Sequence, residues 1–329
     1  MTESVAKSPT IDVQLTATQT AQALRDDVAE GLSGTPKTLP PKWFYDALGS
    51  EIFERITKLD EYYPTRAEAE ILTAHARDIA TRSRAAALVE LGSGSSEKTR
   101  ELLDALQRQG SLHDFVPLDV SESALREAAD RIAAEYPGLR VQGLVGDFTQ
   151  HLSVLPGLPP RLVVFLGGTI GNLAPGQRHE FLASVRAMLQ PGEWLLLGTD
   201  LVKDRAVLER AYDDEEGVTA EFNRNVLRVI NRELSANFEL EQFEHRSVFN
   251  TEHSRIEMRL RARKPMTVRV AALDMTVDFA DGEELLTEIS TKFRREGITE
   301  ELVLAGFALE DWWTDSEQRY AVSLSRASS

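Results

Sequence analysis

Residues Ala85 to Arg100 read AAALVELGSGSSEKTR. Five of the six residues from Ala86 to Leu91 are apolar, and they run into a glycine-rich turn. A polar run with the character of a helix start follows. A continuous apolar run between turn signals fits a strand buried on both faces. Gly92 and Gly94 permit a sharp turn and a close approach by a ligand. The first N–H groups of the following helix have no partner within it and attract negative or hydroxyl groups. The stretch therefore predicts the first strand, loop and helix of a nucleotide-type domain.

Two related loops fit less well. The dinucleotide fingerprint G-x-G-x-x-G lacks its third glycine, because Gly94 is followed by Ser95, Ser96 and Glu97. The phosphate loop G-x-x-x-x-G-K-[ST] matches GSGSSEKT except that Glu97 replaces the last glycine. That carboxylate would repel phosphate oxygens. A loop for a nucleoside without phosphates remains, and S-adenosylmethionine is such a ligand. The competing reading is a tight Gly-Ser turn that binds nothing.

Composition narrows the classes. With 329 residues and 42% hydrophobic content, the chain can bury one large core or two smaller ones. A net charge of −16 argues against nucleic-acid and anionic-membrane partners and suits a cationic ligand. The absence of cysteine excludes disulfides and thiol catalysis. No stretch approaches the roughly 20 apolar residues of a membrane helix, and the N-terminus lacks the apolar centre of a secretory signal. A cytoplasmic monomer is expected.

Residues 1–14 read as a loose tail. Thr16 to Gly31 predict a helix that Gly31 stops, and LSGTPKTLPP reads as a linker. One helix with an aromatic face is expected over Lys42 to Lys58, and Pro64 opens another to about Ser83. From Ala85 strands alternate with helices: FVPLDV, LRVQGLVGDF, RLVVFLGGTIGN and EWLLLGTDL are the next strands. Such alternation implies an α/β, doubly wound, mostly parallel sheet. After Lys203 come two helical stretches and four alternating pieces, FEHRSVF, RIEMRLRAR, MTVRVAAL and DMTVDF, which suggest antiparallel hairpins. A helix at Thr299 to Leu304 and the strand pair FALEDWWTD and YAVSLSRA close the chain. Residues 66–202 with 293–329 are expected to form the nucleoside-binding domain, and 15–65 with 203–292 a second α+β domain over its ligand edge. A contiguous two-domain split competes with this layout.

Ligands of open α/β sheets sit beyond the carboxyl ends of the strands. Here those ends carry Gly92 and Gly94, then Asp119, then Asp147-Phe148, then Gly167 to Asn172. Asp119 suits ribose hydroxyls. Asp147 beside Phe148 suits an adenine amino group and ring. The plain alternative is that each aspartate caps a turn.

This arrangement resembles the class I S-adenosylmethionine-dependent methyltransferases. Their marks are an acidic-glycine turn (Glu90-Leu91-Gly92-Ser93-Gly94), an acidic end to the second strand (Asp119) and Pro191-Gly192 before the fifth. The antiparallel last strand of that fold suits the C-terminal pair. The blocks KWFYDALGSEIFERIT (42–57), EYYPTR (61–66), FLGGTIGN (165–172), RAYDD (210–214), FNRNVLRVINRELSANF (222–238) and TEISTKF (287–293) narrow it. They resemble the L-histidine Nα-methyltransferases of ergothioneine biosynthesis, from about residue 20 to the C-terminus. Gly168 departs from that pattern, where a serine is expected.

The resemblance implies that Gly92, Lys98, Asp119, Asp147, Phe148 and Tyr45 contact S-adenosylmethionine. It implies that Tyr62, Asn172, Tyr212, Glu288 and Ser290 contact L-histidine, with Gly167 offering backbone to the amine. Phe53 would lie near the methylated nitrogen and Met258 beside the imidazole. Chemistry agrees for the ring: imidazole offers one N–H donor and one acceptor, which Glu288 and Ser290 complement. On a strand, spacing i, i+2 puts both on one face, whereas on a helix they diverge. The six histidines show no metal-ligand spacing, and no metal is expected. The implied activity is triple methylation of the α-amine. A methyltransferase of another amine and a non-catalytic S-adenosylmethionine sensor are the alternatives, and the missing third glycine disfavours a dehydrogenase.

Overall fold

A computed structural model describes residues 8–329, which divide into two compact units. Unit one holds residues 8–15, Pro64–Leu201 and Phe293–Ser329; unit two holds Thr16–Tyr63 and Val202–Lys292. In chain order the first elements are β1 (Thr10–Val13), α1 (Ala17–Ser33), β2 (Lys37–Thr38), α2 (Ala47–Ile56), α3 (Tyr63–Ser83) and β3 (Ala87–Leu91). Then come α4 (Thr99–Gln109), β4 (Asp114–Asp119), α5 (Glu122–Glu135), β5 (Arg140–Val145), β6 (Arg161–Phe165), α6 (Pro175–Met188) and β7 (Trp194–Asp200). The chain continues through α7 (Arg205–Ala211), α8 (Val218–Leu234), β8 (Phe243–Asn250), β9 (Arg255–Ala262), β10 (Met266–Val270), β11 (Met275–Phe279) and β12 (Glu284–Thr291). It ends with α9 (Arg295–Leu304), β13 (Phe307–Thr314) and β14 (Tyr320–Ala327).

Unit one is an eight-stranded sheet in the order β1-β5-β4-β3-β6-β7-β14-β13. The strands from β1 to β7 run parallel, while β14 is antiparallel to both its neighbours. This is the mixed α/β, mostly parallel architecture that the strand–helix alternation predicts. Every residue of β3 is buried, as its apolar run requires. Leu91, Leu118, Phe165 and Leu197 belong to a core that also includes Phe181 of α6 and Ile298 of α9. The strand order reverses at β3, which pairs with β4 on one side and β6 on the other. Chains leaving β3 and β6 therefore diverge at their carboxyl ends, where such sheets bind ligands.

The tail expected over residues 1–14 is in part a strand. Thr10–Val13 pair in parallel with β5, and residues 1–7 lie outside the described residues. The edge of β5 presents unpaired backbone groups, which β1 covers. Ile11 Cδ1 occupies the space a side chain at Gly143 would need, 2.6 Å from the Cβ position.

In unit two, β2, β12, β9 and β8 form a four-stranded sheet, and β10 with β11 form a separate hairpin. Three local expectations change. Gly31 does not stop α1, which runs to Ser33; the glycine instead lets the Thr38 carbonyl approach within 2.0 Å of where a Cβ would stand. The expected linker contains β2, which pairs in parallel with β12. The single helix over residues 42–58 is a 3-10 turn at Pro41–Phe44 followed by α2. Asp46 separates them because its carboxylate caps α2, accepting the Gly49 N–H at 2.8 Å. Phe44 packs on Phe222 of α8 with ring centroids 4.7 Å apart. β12 is bulged between Leu286 and Glu288.

Candidate functional site

The candidate cofactor residues of unit one surround the β3 turn. Gly92 and Gly94 have φ of +70° and +49°, the left-handed region that glycine adopts without cost. The Gly94 N–H donates to Asp119 Oδ2 at 2.8 Å and the Ser121 N–H to Oδ1 at 2.9 Å. Asp119 thus ties the glycine turn to the start of α5. A carboxylate can accept about four hydrogen bonds, so Asp119 keeps acceptor capacity for a ligand hydroxyl. Burial raises the Asp119 pKa above the ordinary carboxyl value, opposed by these backbone donors. Nothing lies within 4 Å of a Cβ placed at Gly94, and the Phe148 ring is the nearest group at Gly92, 4.0 Å away. Ser93 Oγ is buried without a hydrogen-bond partner. Open space beside the turn and an unsatisfied hydroxyl fit a nucleoside there. Phe148 packs edge-on against Phe165 at 5.0 Å and Phe181 at 5.6 Å. Asp147 spends Oδ1 on the Thr149 N–H and hydroxyl, at 2.8 and 2.6 Å.

Glu90 supports this turn from beneath. It is buried and accepts hydrogen bonds from Ser96 Oγ at 2.7 Å and from Thr99 Oγ1. Burial pushes its carboxyl up to about 7, against the pull of those hydroxyls. The raised value means that the fold favours the protonated form. Its stabilising contribution is complete below the unfolded value of 4.5 and is lost as pH rises through 7. Across that window the parent should lose about 3 kcal/mol relative to Glu90→Gln. Urea unfolding at pH 5, 6, 7 and 8 measures this; parallel pH curves for the two proteins would refute it.

A residue that sequence reading missed organises the same unit. Glu68 of α3 is fully buried. Its Oε1 accepts from the Gly167 N–H and from Tyr320 Oη, both at 2.8 Å, and Oε2 accepts from Lys98 Nζ. Glu68 therefore connects two expected site residues, Lys98 and Gly167. Nothing in the local sequence around Glu68 marks it, since its partners lie 30, 99 and 252 residues away. Gly167 and Gly168 both have positive φ, +75° and +68°. Glycine rather than the expected serine at 168 relieves backbone strain. Asn172 ends the turn that follows.

Unit two gathers most of the expected substrate residues. Tyr45, Phe53, Tyr62 and Tyr212 form a chain of edge-to-face rings, with centroids 5.5, 6.2 and 6.2 Å apart in succession. Phe222, not anticipated, joins Tyr45 and Phe53 at 5.3 and 5.8 Å. The Tyr212 hydroxyl lies 2.8 Å from Ser290 Oγ. TEIS is strand: Glu288 and Ser290 both lie on β12, and Glu288 pairs in register with Met258 of β9. Tyr45 thus belongs to unit two and the other cofactor candidates to unit one, as do Gly167 and Asn172.

Tyr212 and β12 are held by one buried network. Asn223 Nδ2 faces the Arg259 carbonyl at 3.1 Å, so it is the amide nitrogen, and it donates to His245 Nδ1 at 2.8 Å. His245 Nε2–H then donates to the Tyr212 carbonyl at 2.8 Å. Thr287 Oγ1, in the bulge, lies 2.6 Å from Asn223 Oδ1. Burial lowers the His245 pKa, which keeps the ring neutral as this network requires. Among the described residues no group of three or more His, Asp or Glu could hold a metal ion, and no helix is long and apolar enough to cross a membrane.

Comparison with known proteins shows the family. A family model described as histidine-specific methyltransferase, SAM-dependent, matches residues 24–327. The chain is 56% identical over 310 residues to the histidine N-alpha-methyltransferase of Mycolicibacterium smegmatis, covering 94% of this chain and 97% of that protein. It is 57% identical over 302 residues to the protein of that name from Mycobacterium tuberculosis, covering 92% and 94%. Ergothioneine biosynthesis protein 1 of Neurospora crassa is 35% identical over 204 residues, 60% of this chain and 23% of that one. The chain belongs to the histidine-specific, SAM-dependent methyltransferase family.

Proposed function

We propose that this protein transfers three methyl groups from S-adenosylmethionine to the α-amino nitrogen of L-histidine. The product is Nα,Nα,Nα-trimethylhistidine (hercynine), and the reaction is the first step of ergothioneine biosynthesis. Unit one is the methyltransferase domain and unit two the substrate-binding domain. The observation that carries the reading is β12, an extended segment presenting Glu288 and Ser290 two residues apart beside the Tyr212 hydroxyl. A carboxylate acceptor and a hydroxyl donor at that spacing match the N–H and the lone pair of one imidazole.

When bound, S-adenosylmethionine supplies an electrophilic methyl on a sulfonium. Gly92, Asp119, Asp147 and Phe148 hold its nucleoside, with Lys98 and Tyr45 as further contacts. Asn172 and Tyr212 orient the histidine carboxylate, and the Gly167 backbone addresses the amine. Catalysis rests on alignment and close approach of amine and methyl. The amine must be neutral to attack, whereas free α-amines are largely protonated at neutral pH. Tyr62 relays that proton: its hydroxyl oxygen accepts it while the phenol's own O–H proton passes to water. The Phe53 face attracts the quaternary ammonium of the product.

The test is incubation with S-adenosylmethionine and each of the twenty amino acids, read by mass. Histidine alone should gain up to three methyl groups; methylation of another amino acid in preference, or of none, would overturn the reading. A sulfonium leaves as a neutral thioether, so the displacement needs no Lewis acid. Activity should therefore survive a chelator, and loss that zinc restores would contradict this. We further place the protein in the cytoplasm as a monomer, its net charge of −16 and lack of cysteine being consistent with that.

A further inference from the structure

The face of β12 that carries Glu288 and Ser290 is set by a single extra residue. Glu284, Leu285 and Leu286 pair with Arg261, Leu260 and Arg259 of β9, whereas Glu288, Ile289 and Ser290 pair with Met258, Glu257 and Ile256. Thr287 is the residue left over. Directly opposed residues share one face of a sheet. Had the first register continued unbroken, Glu288 would oppose Glu257 and Ser290 would oppose Arg255. Those two lie on the other face, where Glu257 is paired with Arg255 and Arg259. A shift of one residue changes the face of everything beyond it. The bulge therefore turns Glu288 and Ser290 to the side of Met258 and Ile256, where the Tyr212 hydroxyl meets Ser290 Oγ.

One side chain of α8 holds both strands at this point. Asn223 and Thr287 are 0% and 1% exposed. Asn223 Nδ2 donates to the carbonyl of Arg259, the residue opposite Leu286. Asn223 Oδ1 accepts from the Thr287 hydroxyl at 2.6 Å, and that hydroxyl also lies 3.0 Å from the carbonyl of Met258, the residue opposite Glu288. The other Nδ2 proton goes to Nδ1 of His245. Every polar atom of the amide is used, and its bonds end on β9 and on the extra residue of β12.

We propose that Asn223 and Thr287 are positioning residues that lock this bulge and so aim Glu288 and Ser290 at the imidazole. The inference rests on the histidine reading, because it takes Glu288 and Ser290 as the ring's contacts. Thr287→Val keeps the shape of the side chain and removes its hydroxyl. Asn223 Oδ1 is then left buried against a methyl group, and a buried acceptor without its donor is costly. The strand beyond the bulge loses its anchor, and both imidazole contacts shift with it.

Steady-state kinetics with histidine and calorimetry with S-adenosylmethionine test this. Thr287→Val should raise the KM for histidine about tenfold, the equivalent of one hydrogen bond, with kcat and S-adenosylmethionine affinity nearly unchanged. Thr287→Ser keeps the hydroxyl and should restore the parental KM. Combined with Glu288→Ala, Thr287→Val should raise KM by less than it does alone, because one of the residues it aims is gone. Thr287→Ala serves if Thr287→Val does not fold. A lowered kcat at parental KM, a serine variant as impaired as the valine one, or fully multiplicative effects with Glu288→Ala would each overturn the proposal. A parent enzyme that does not turn over histidine overturns the histidine reading itself, whatever the ratios between variants.

Discussion

Replacement of Glu288 by alanine should raise the KM for histidine by roughly 10- to 100-fold and leave S-adenosylmethionine affinity nearly unchanged. A hydrogen bond to a charged group contributes about 1.5–3 kcal/mol, and each 1.36 kcal/mol is a factor of ten. The loss should be confined to the substrate because Glu288 lies on β12 of unit two, whereas the glycine turn and Asp119 lie in unit one. Glu288→Gln keeps a carbonyl acceptor and should fall between parent and alanine variant. Steady-state kinetics with histidine and calorimetry with S-adenosylmethionine separate the two effects. Equal loss of both would remove Glu288 from the imidazole.

Asp119→Ala should weaken S-adenosylmethionine binding by about 1–3 kcal/mol, or about 5- to 150-fold. Two effects act together. The variant removes the proposed acceptor for the ligand hydroxyls, and it frees the Gly94 and Ser121 N–H groups that the carboxylate holds at 2.8 and 2.9 Å. Asp119→Asn separates them, because its single carbonyl keeps one backbone anchor while the amide cannot accept the other. Calorimetric affinity equal to the parent's in the alanine variant would refute the assignment.

Much of unit one was legible from local pattern. A run buried on both faces must be apolar along its whole length, and the turn that leaves it must contain glycine where φ is positive. Both demands are written in consecutive residues, from Ala87 to Gly94. The bulged strand β12 was harder to read, because TEIS suits a helix or a strand. Its extended form follows from pairing with β9, distant in the chain. Asp46 hid in the same way. Its neighbours carry a helical apolar spacing on both sides, yet its carboxylate starts a new helix.

By itself the sequence determined the sheet, its Gly-rich turn and the acidic strand ends, because each depends on steric and hydrophobic demands within a few residues. Family resemblance singled out Glu288 and Ser290. Tertiary structure alone decided that β1 closes the sheet edge, that Glu68 joins Lys98 to Gly167, and that Asn223 meets Thr287 in the β12 bulge. The physical reason is common to all three. A hydrogen bond constrains two groups in space and leaves no periodicity in the chain, so a glutamate bound to a residue 252 positions away reads like any other glutamate on a helix.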